Sequence, residues 1–378
     1  MLDLPLVGEP DLNARSRERR RRRRRQIRIR RAVAVGVLLA LGAGIALGAR
    51  AVTGGHKRAE PVSHPRRGIQ HKPAPRVVPD EIRGVHVTMA IASLPGRLEQ
   101  YLGIPGLNTI ELDVKDENGD IGPGTYYDAR RAVRIIHSHG IYLIGRVVTF
   151  EDPVLSEKRP ELAVHNSDGS VWHNNAGLGW TNPYDRRVWA YNVAVAATAA
   201  KAGFDEIQFD YVRFPSDGDL TQIRYPGLHP QAMRWTIPAF VQYAAHRLHR
   251  LGVRVSVDVF GLSATRDLGI GQLPRRVSTY ADAVYPMVYP SHYNEGEYGI
   301  AQPEDRPGIV VSRSLADFRR ALEGRETRLT PWLQDFSLAR PYGLEDVQLQ
   351  IAAAQAHHTN GFLLWNPEGV YTTAALAP

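Results

Sequence analysis

The chain has 378 residues, a formal charge of +8 and no cysteine, which excludes a disulfide framework, a thiol nucleophile and a cysteine-built zinc site. Its positive charge is confined to one end: residues 1–81 hold 19 Lys/Arg and 7 Asp/Glu, a net of +12. Subtraction from the totals of 47 and 39 leaves 28 and 32 for residues 82–378, a net of −4, so the body lacks the basic footprint of a nucleic-acid reader.

The N-terminal elements come first. "RSRERRRRRRRQIRIRR" runs from Arg15 to Arg31 and abuts "AVAVGVLLALGAGIALGA", Ala32 to Ala49. These 18 uncharged residues, at about 1.5 Å each, nearly cross a hydrocarbon layer of about 30 Å. The pattern predicts a cytoplasmic arginine-rich segment over 1–31, a transmembrane anchor over 32–52 and a Pro-rich basic linker over 53–81 outside the membrane. Two rival readings exist: a signal peptide cleaved near Ala49–Ala51, whose basic region would be unusually long, and an RNA-binding arm.

From Ile82 to the C-terminus, short apolar strands alternate with amphipathic helices. Strands are expected at 82–90, 108–116, 141–150, 205–214, 253–261, 281–289, 328–336 and 361–367. One helical face is Ala129, Ala132, Val133 and Ile136; another is Ile237, Phe240, Val241, Ala244 and Leu248. Glycines at 140, 203, 252 and 361 stand just before strands, where a helix ends. Eight β-then-α units over residues 82–378 predict an α/β fold, a (β/α)8 TIM barrel, ahead of a doubly wound open sheet.

Alternation along the strands then separates two faces. On the fourth strand Ile207, Phe209 and Tyr211 face outward, and Glu206, Gln208 and Asp210 face the lumen. The second strand turns Ile110, Leu112 and Val114 outward and Glu111, Asp113 and Lys115 inward. The fifth turns its four valines from Val253 to Val259 outward and Arg254, Ser256 and Asp258 inward. Buried charges must pair, so Glu111, Lys115, Glu206 and Arg254 are expected to form a network low in the barrel. Asp113, Asp210 and Asp258 lie nearer the strand C-terminal ends, where barrel enzymes place their chemistry.

"GFDEIQFDYVRFPSDG" (203–218) resembles the signature of the "putative glycosyl hydrolase domain" family. "ELDVKDENG", "VSVDVFGL", "YPMVYPSHY", "PWLQDF" and "FLLWNP" are similar to its further blocks, in order, so that the resemblance runs from about Glu81 to Tyr371. It implies a barrel glycosidase whose hydrolysis uses two carboxyl groups. Asp210 resembles the nucleophile position of α-amylase-like barrels. Asp258 stands where those proteins carry their acid, with Asp in place of Glu. "YPMVYPSHY" holds no strand-six carboxylate, and strand seven has Gln334 and Asp335 where relatives carry Glu. Glu295 or Glu297 is the substitute acid if Asp258 is not.

Arg213 is expected either to cap strand four structurally or to orient Asp210, keeping it ionised, together with an anionic sugar substituent. Desolvation among valines is expected to raise the pKa of Asp258. Asp113, Lys115 and Asp116 form a charged cluster suited to binding. Trp172 and Trp180 fall in a long segment after strand three, expected to be a lid or binding element. With Tyr289, His292, Trp332, Gln334 and Trp365 they complete the expected sugar-binding set. No HExxH spacing occurs, and the one HxH, His137-Ser138-His139, lies at a predicted helix end, so no metal and no cofactor is expected. The function expected is a membrane-anchored, extracytoplasmic glycoside hydrolase acting on an envelope or extracellular polysaccharide. A glycan-binding barrel without activity and a metal-dependent deacetylase are the alternatives.

Overall fold

The computed structural model describes residues 77–229 and 231–377. The arginine-rich segment, the anchor at 32–52 and the linker up to residue 76 lie outside the described residues. Among the described residues no helix is long and apolar enough to cross a membrane.

All eight expected strand regions form parallel strands: β1 (Ile82–Val87), β2 (Thr109–Lys115), β3 (Tyr142–Val148), β4 (Glu206–Asp210), β5 (Arg254–Phe260), β6 (Ala283–Met287), β7 (Arg328–Leu329), β8 (Trp332–Gln334) and β9 (Gly361–Trp365). The seventh stave is two pieces, β7 and β8, interrupted around Pro331, which has no N–H to give to a ladder. Pairing of β5 with β6 closes the sheet into a barrel, as expected over the open alternative.

The two faces sort as alternation requires. Ile110, Leu112, Val114, Ile207, Phe209 and the β5 valines are buried in the shell between strands and helices. Ile82, Tyr142, Ile144, Tyr285 and Leu363 form a second cluster with Tyr289 and Trp332. The helix α5 (Arg186–Ala202), fifth after α1 (Met89–Ser93), α2 (Arg97–Leu102), α3 (Ala129–Ser138) and α4 (Pro153–Lys158), shows how the chain re-enters the sheet. It ends at Gly203, whose φ of 111° suits a residue without Cβ and whose N–H reaches Ala199 and Ala200. At Gly361 the constraint is space: a Cβ would stand 1.9 Å from the Ile82 oxygen.

One strand departs from the expectation in a way that shapes the site. β4 stops at Asp210, and Tyr211 takes a left-handed φ of 47°. Tyr211 therefore leaves the outward face assigned to it, and the chain turns immediately after the last lumen carboxylate. A bulky residue seldom holds this conformation. Here Asp210 Oδ1 accepts the Tyr211 N–H at 2.6 Å, fixing the turn.

Candidate active site

A cavity of about 590 Å³ opens among the C-terminal ends of the strands. Of the residues expected to bind substrate or act on it, Asp210, Asp258 and Arg213 line it, as do Tyr289, His292, Trp332 and Trp365. Phe209 pairs with Val257 across β4 and β5, which sets Asp210 and Asp258 level on neighbouring strands.

The two aspartates are held very differently. Asp210 Oδ2 receives Arg146 Nε at 3.0 Å and Arg146 Nη2 at 2.8 Å. The same guanidinium gives Nη1 to Asp113 Oδ1 at 2.8 Å. Asp113 is also 3.6 Å from His86 Nε2, and His86 Nδ1 lies 2.5 Å from Glu111. Acidic and basic side chains thus alternate along a buried row: Glu111, His86, Asp113, Arg146, Asp210. Burial opposes a proton on His86, but the Asp113 and Glu111 carboxylates outweigh it and raise the pKa to about 9. Burial also works against an ionised Asp113, yet His86 and Arg146 hold it well below the usual carboxylate range. The row delivers a fixed positive fork to Asp210.

Asp258 has no such cation. Its Oδ1 accepts Gln208 Nε2 at 2.5 Å and Trp332 Nε1 at 2.8 Å, both neutral donors. Burial, with the charges of Asp210 and Glu111 added, pushes its carboxyl well above the usual range. A carboxyl in that setting keeps its proton where an exposed one would lose it.

The other expected residues fall into place around this pair, or away from it. Arg213 is not the partner of Asp210; Arg146 takes that part, and Arg213 donates Nη1 to the Phe214 carbonyl. Lys115 is not in the lumen. The β2–β3 register slips between Asp113 and Lys115, and a bulge of this kind re-aims the side chain. Its ammonium pairs with Asp152 at 2.7 Å and with Asn192 of α5 at 2.8 Å, fully buried. Asp116 closes a turn by accepting the N–H groups of Asn118 and Asp120, both at 3.0 Å, and burial raises its pKa to about 6.

Trp172 and Trp180 are core residues. Antiparallel bridges such as Glu151 to Trp180 and His165 to Val171 fold their segment onto the barrel, leaving the two rings 1% and 0% exposed. Gln334 is likewise buried; it accepts Ser291 N–H at 3.0 Å and donates to Phe336 O at 3.0 Å, anchoring the loop that carries His292. Glu297 is tied to Arg266 by bonds of 2.7 and 3.0 Å, and Glu295 is exposed; neither lines the cavity.

Of the expected low network, Glu206 lies 3.8 Å from Arg254 and accepts Tyr142 Oη at 3.0 Å, while Glu111 turns instead to His86. Arg146 and the pairing of His86 were missed. The signal for Arg146 was present: in "YLIGRVV" Tyr142, Ile144 and Arg146 share a face, by the alternation applied to the neighbouring strands.

With this geometry in place, the sequence match decides the family. Residues 84–371, well over half of the chain, match the family described as "Putative glycosyl hydrolase domain". The chain belongs to it. No curated protein matches the chain. Among solved structures, the glycoside hydrolase domain of PgaB (BpsB) from Bordetella bronchiseptica is 14% identical, with a TM-score of 0.59, covering 79% of this chain and 99% of its own. The "C-terminal domain of putative chitinase" from Desulfitobacterium hafniense DCB-2 is 11% identical, with a TM-score of 0.54 and coverages of 78% and 97%. A hypothetical protein from Ruminiclostridium thermocellum ATCC 27405 is 32% identical over 46% of this chain and 97% of its own, with a TM-score of 0.43. At these levels the first two share the barrel fold with this glycosyl hydrolase domain.

Proposed function

We propose that the protein is a glycoside hydrolase that cleaves an envelope or extracellular polysaccharide through Asp210 and Asp258. The observation that carries this reading is the opposed setting of two level carboxyls. Asp210 is ion-paired with Arg146, whereas Asp258 is buried, meets only neutral donors, and has its pKa raised. Glycosidic cleavage asks for such a division: a carboxylate on one side of the anomeric carbon and a proton donor on the other. In this scheme Asp210 attacks as nucleophile, and Asp258 protonates the leaving oxygen and then deprotonates the incoming water. Trp332, Trp365 and Tyr289 provide flat apolar surfaces beside the pair, on which sugar C–H faces stack.

The location proposed is the outer side of a cell membrane, supported by the arginine run before the uncharged segment from Ala32 to Ala49; secretion after cleavage is the alternative. No observation favours the deacetylase reading: among the described residues no group of three or more His, Asp or Glu side chains is arranged to hold a metal ion.

A panel of cell-envelope and extracellular polysaccharides incubated with the full chain tests the proposal. New reducing ends are expected from the native protein and none from Asp210→Asn, with circular dichroism showing that the variant is folded. Glycan retention without product from the native protein would replace the hydrolase by the binding barrel.

A further inference from the structure

Within this cavity Arg213 is a cation with nothing anionic attached. It is 6% exposed, yet among the described residues no carboxylate lies within ion-pairing distance of it. The contrast with its neighbours is sharp: Arg146 is shared by Asp113 and Asp210, and Arg266 is paired with Glu297. Glu151, the buried carboxyl that acts most on Arg213, is held instead by Asn174 Nδ2 at 2.6 Å. Arg213 is not loose, however. Its guanidinium carbon sits 4.8 Å from the Trp180 ring centre, 5.1 Å from Tyr211 and 4.8 Å from Phe260.

Three rings of this kind strip water from the guanidinium faces and leave its N–H edge as the polar surface. The structure shows one bond from that edge, Nη1 to the Phe214 carbonyl at 3.1 Å. A buried cation is costly without a counter-charge, and a pre-aligned fork matches a planar anion with two oxygens. The left-handed turn at Tyr211 is what places Arg213 at the cavity wall, three residues from Asp210.

Resting on the hydrolase reading for the position of the sugar, we infer that Arg213 binds a carboxylate on the sugar next to Asp210, so that the substrate is a carboxylate-bearing glycan. A single carboxylate fits better than a phosphate or sulfate ester. Its two coplanar oxygens suit the fork, and one negative charge matches one guanidinium in a cavity that already holds Glu111 and Asp210.

The test separates this inference from turnover by measuring binding alone. Full-length Asp210→Asn protein is titrated calorimetrically with oligogalacturonates, oligoalginates and N-acetylmuramate-containing glycan strands. Each is used native and carboxyl-reduced, with sulfated neutral oligosaccharides as a further arm. At least one native form is expected to bind about tenfold or more tighter than its reduced counterpart. Adding Arg213→Gln is expected to remove that preference while leaving the reduced form bound as before. Equal binding of native and reduced forms, a preference that survives Arg213→Gln, binding of the sulfated arm alone, or no binding of any carboxylated probe would overturn the inference. If the preference is found but the native chain releases no product from the preferred glycan, the hydrolase reading fails and the carboxylate site stands.

Discussion

Asp210→Ala is expected to abolish turnover of every substrate, while Asp258→Ala is expected to spare the first step on a glycoside with a good leaving group. The difference follows from what each side chain supplies. In the proposed scheme, loss of Asp210 leaves no nucleophile beside the anomeric carbon, and the Arg146 fork faces an empty position. Without Asp258 the first step of that scheme loses only its proton, which a leaving group such as a nitrophenolate does not need, while the second step loses the base that activates water. For an ordinary sugar leaving group, Asp258→Ala is expected to cost the factor of about 10²–10⁴ that general acid–base catalysis provides. Stopped-flow release of the chromophore measures the step. A rapid burst with Asp258→Ala and none with Asp210→Ala is expected; the reverse would exchange the roles.

The largest stability effect is expected away from the cavity, at Lys115. Its ammonium is fully buried, burial pushes its pKa down, and Asp152 at 2.7 Å is the ion that compensates it. Asp152→Asn removes the charge but keeps an oxygen able to accept the Leu155 N–H, the cap of α4 that Asp152 now makes at 2.8 Å. Breaking a buried pair from one side typically costs about 3–5 kcal/mol, well above the roughly 1 kcal/mol of a cap. Urea denaturation of Asp152→Asn is expected to show a loss of that size. Joint replacement, Lys115→Met with Asp152→Asn, is expected to recover much of it, because no lone charge then remains inside. A loss under 1 kcal/mol for the single change would show that water reaches Lys115.

The same residue shows where sequence reasoning reached its limit. The strand regions, their lumen and shell faces, and the place of Asp210 and Asp258 near the strand C-terminal ends follow from local pattern, which a single chain displays openly. The slip between Asp113 and Lys115 does not: it depends on how β2 lies against β3, and it moves a lysine from the expected lumen network into a helix–strand layer. Tyr211 fails for a related reason. "FDYVRF" alternates as a strand should, but the left-handed turn after Asp210 is a choice made by the surrounding structure. For Trp172 and Trp180, segment length suggested a lid or binding element, and the bridges that fold the segment down include Glu151 to Trp180 and His165 to Arg224, between positions far apart in sequence. Arg146 differs from all of these. Its inward position was readable on β3, and what sequence could not give was the choice of Arg146 over Arg213 as partner of Asp210, which is a distance between strands.

The proposed division of labour needs a proton on one carboxyl of the pair, Asp258. Carbon-13 NMR of protein labelled at the aspartate carboxyls, titrated with pH and assigned through Asp258→Asn, reads this directly. The Asp258 resonance is expected to report a protonated carboxyl well above the usual carboxylate range, in line with its burial beside Asp210 and Glu111. An Asp258 resonance already that of a carboxylate at pH 6 would contradict it.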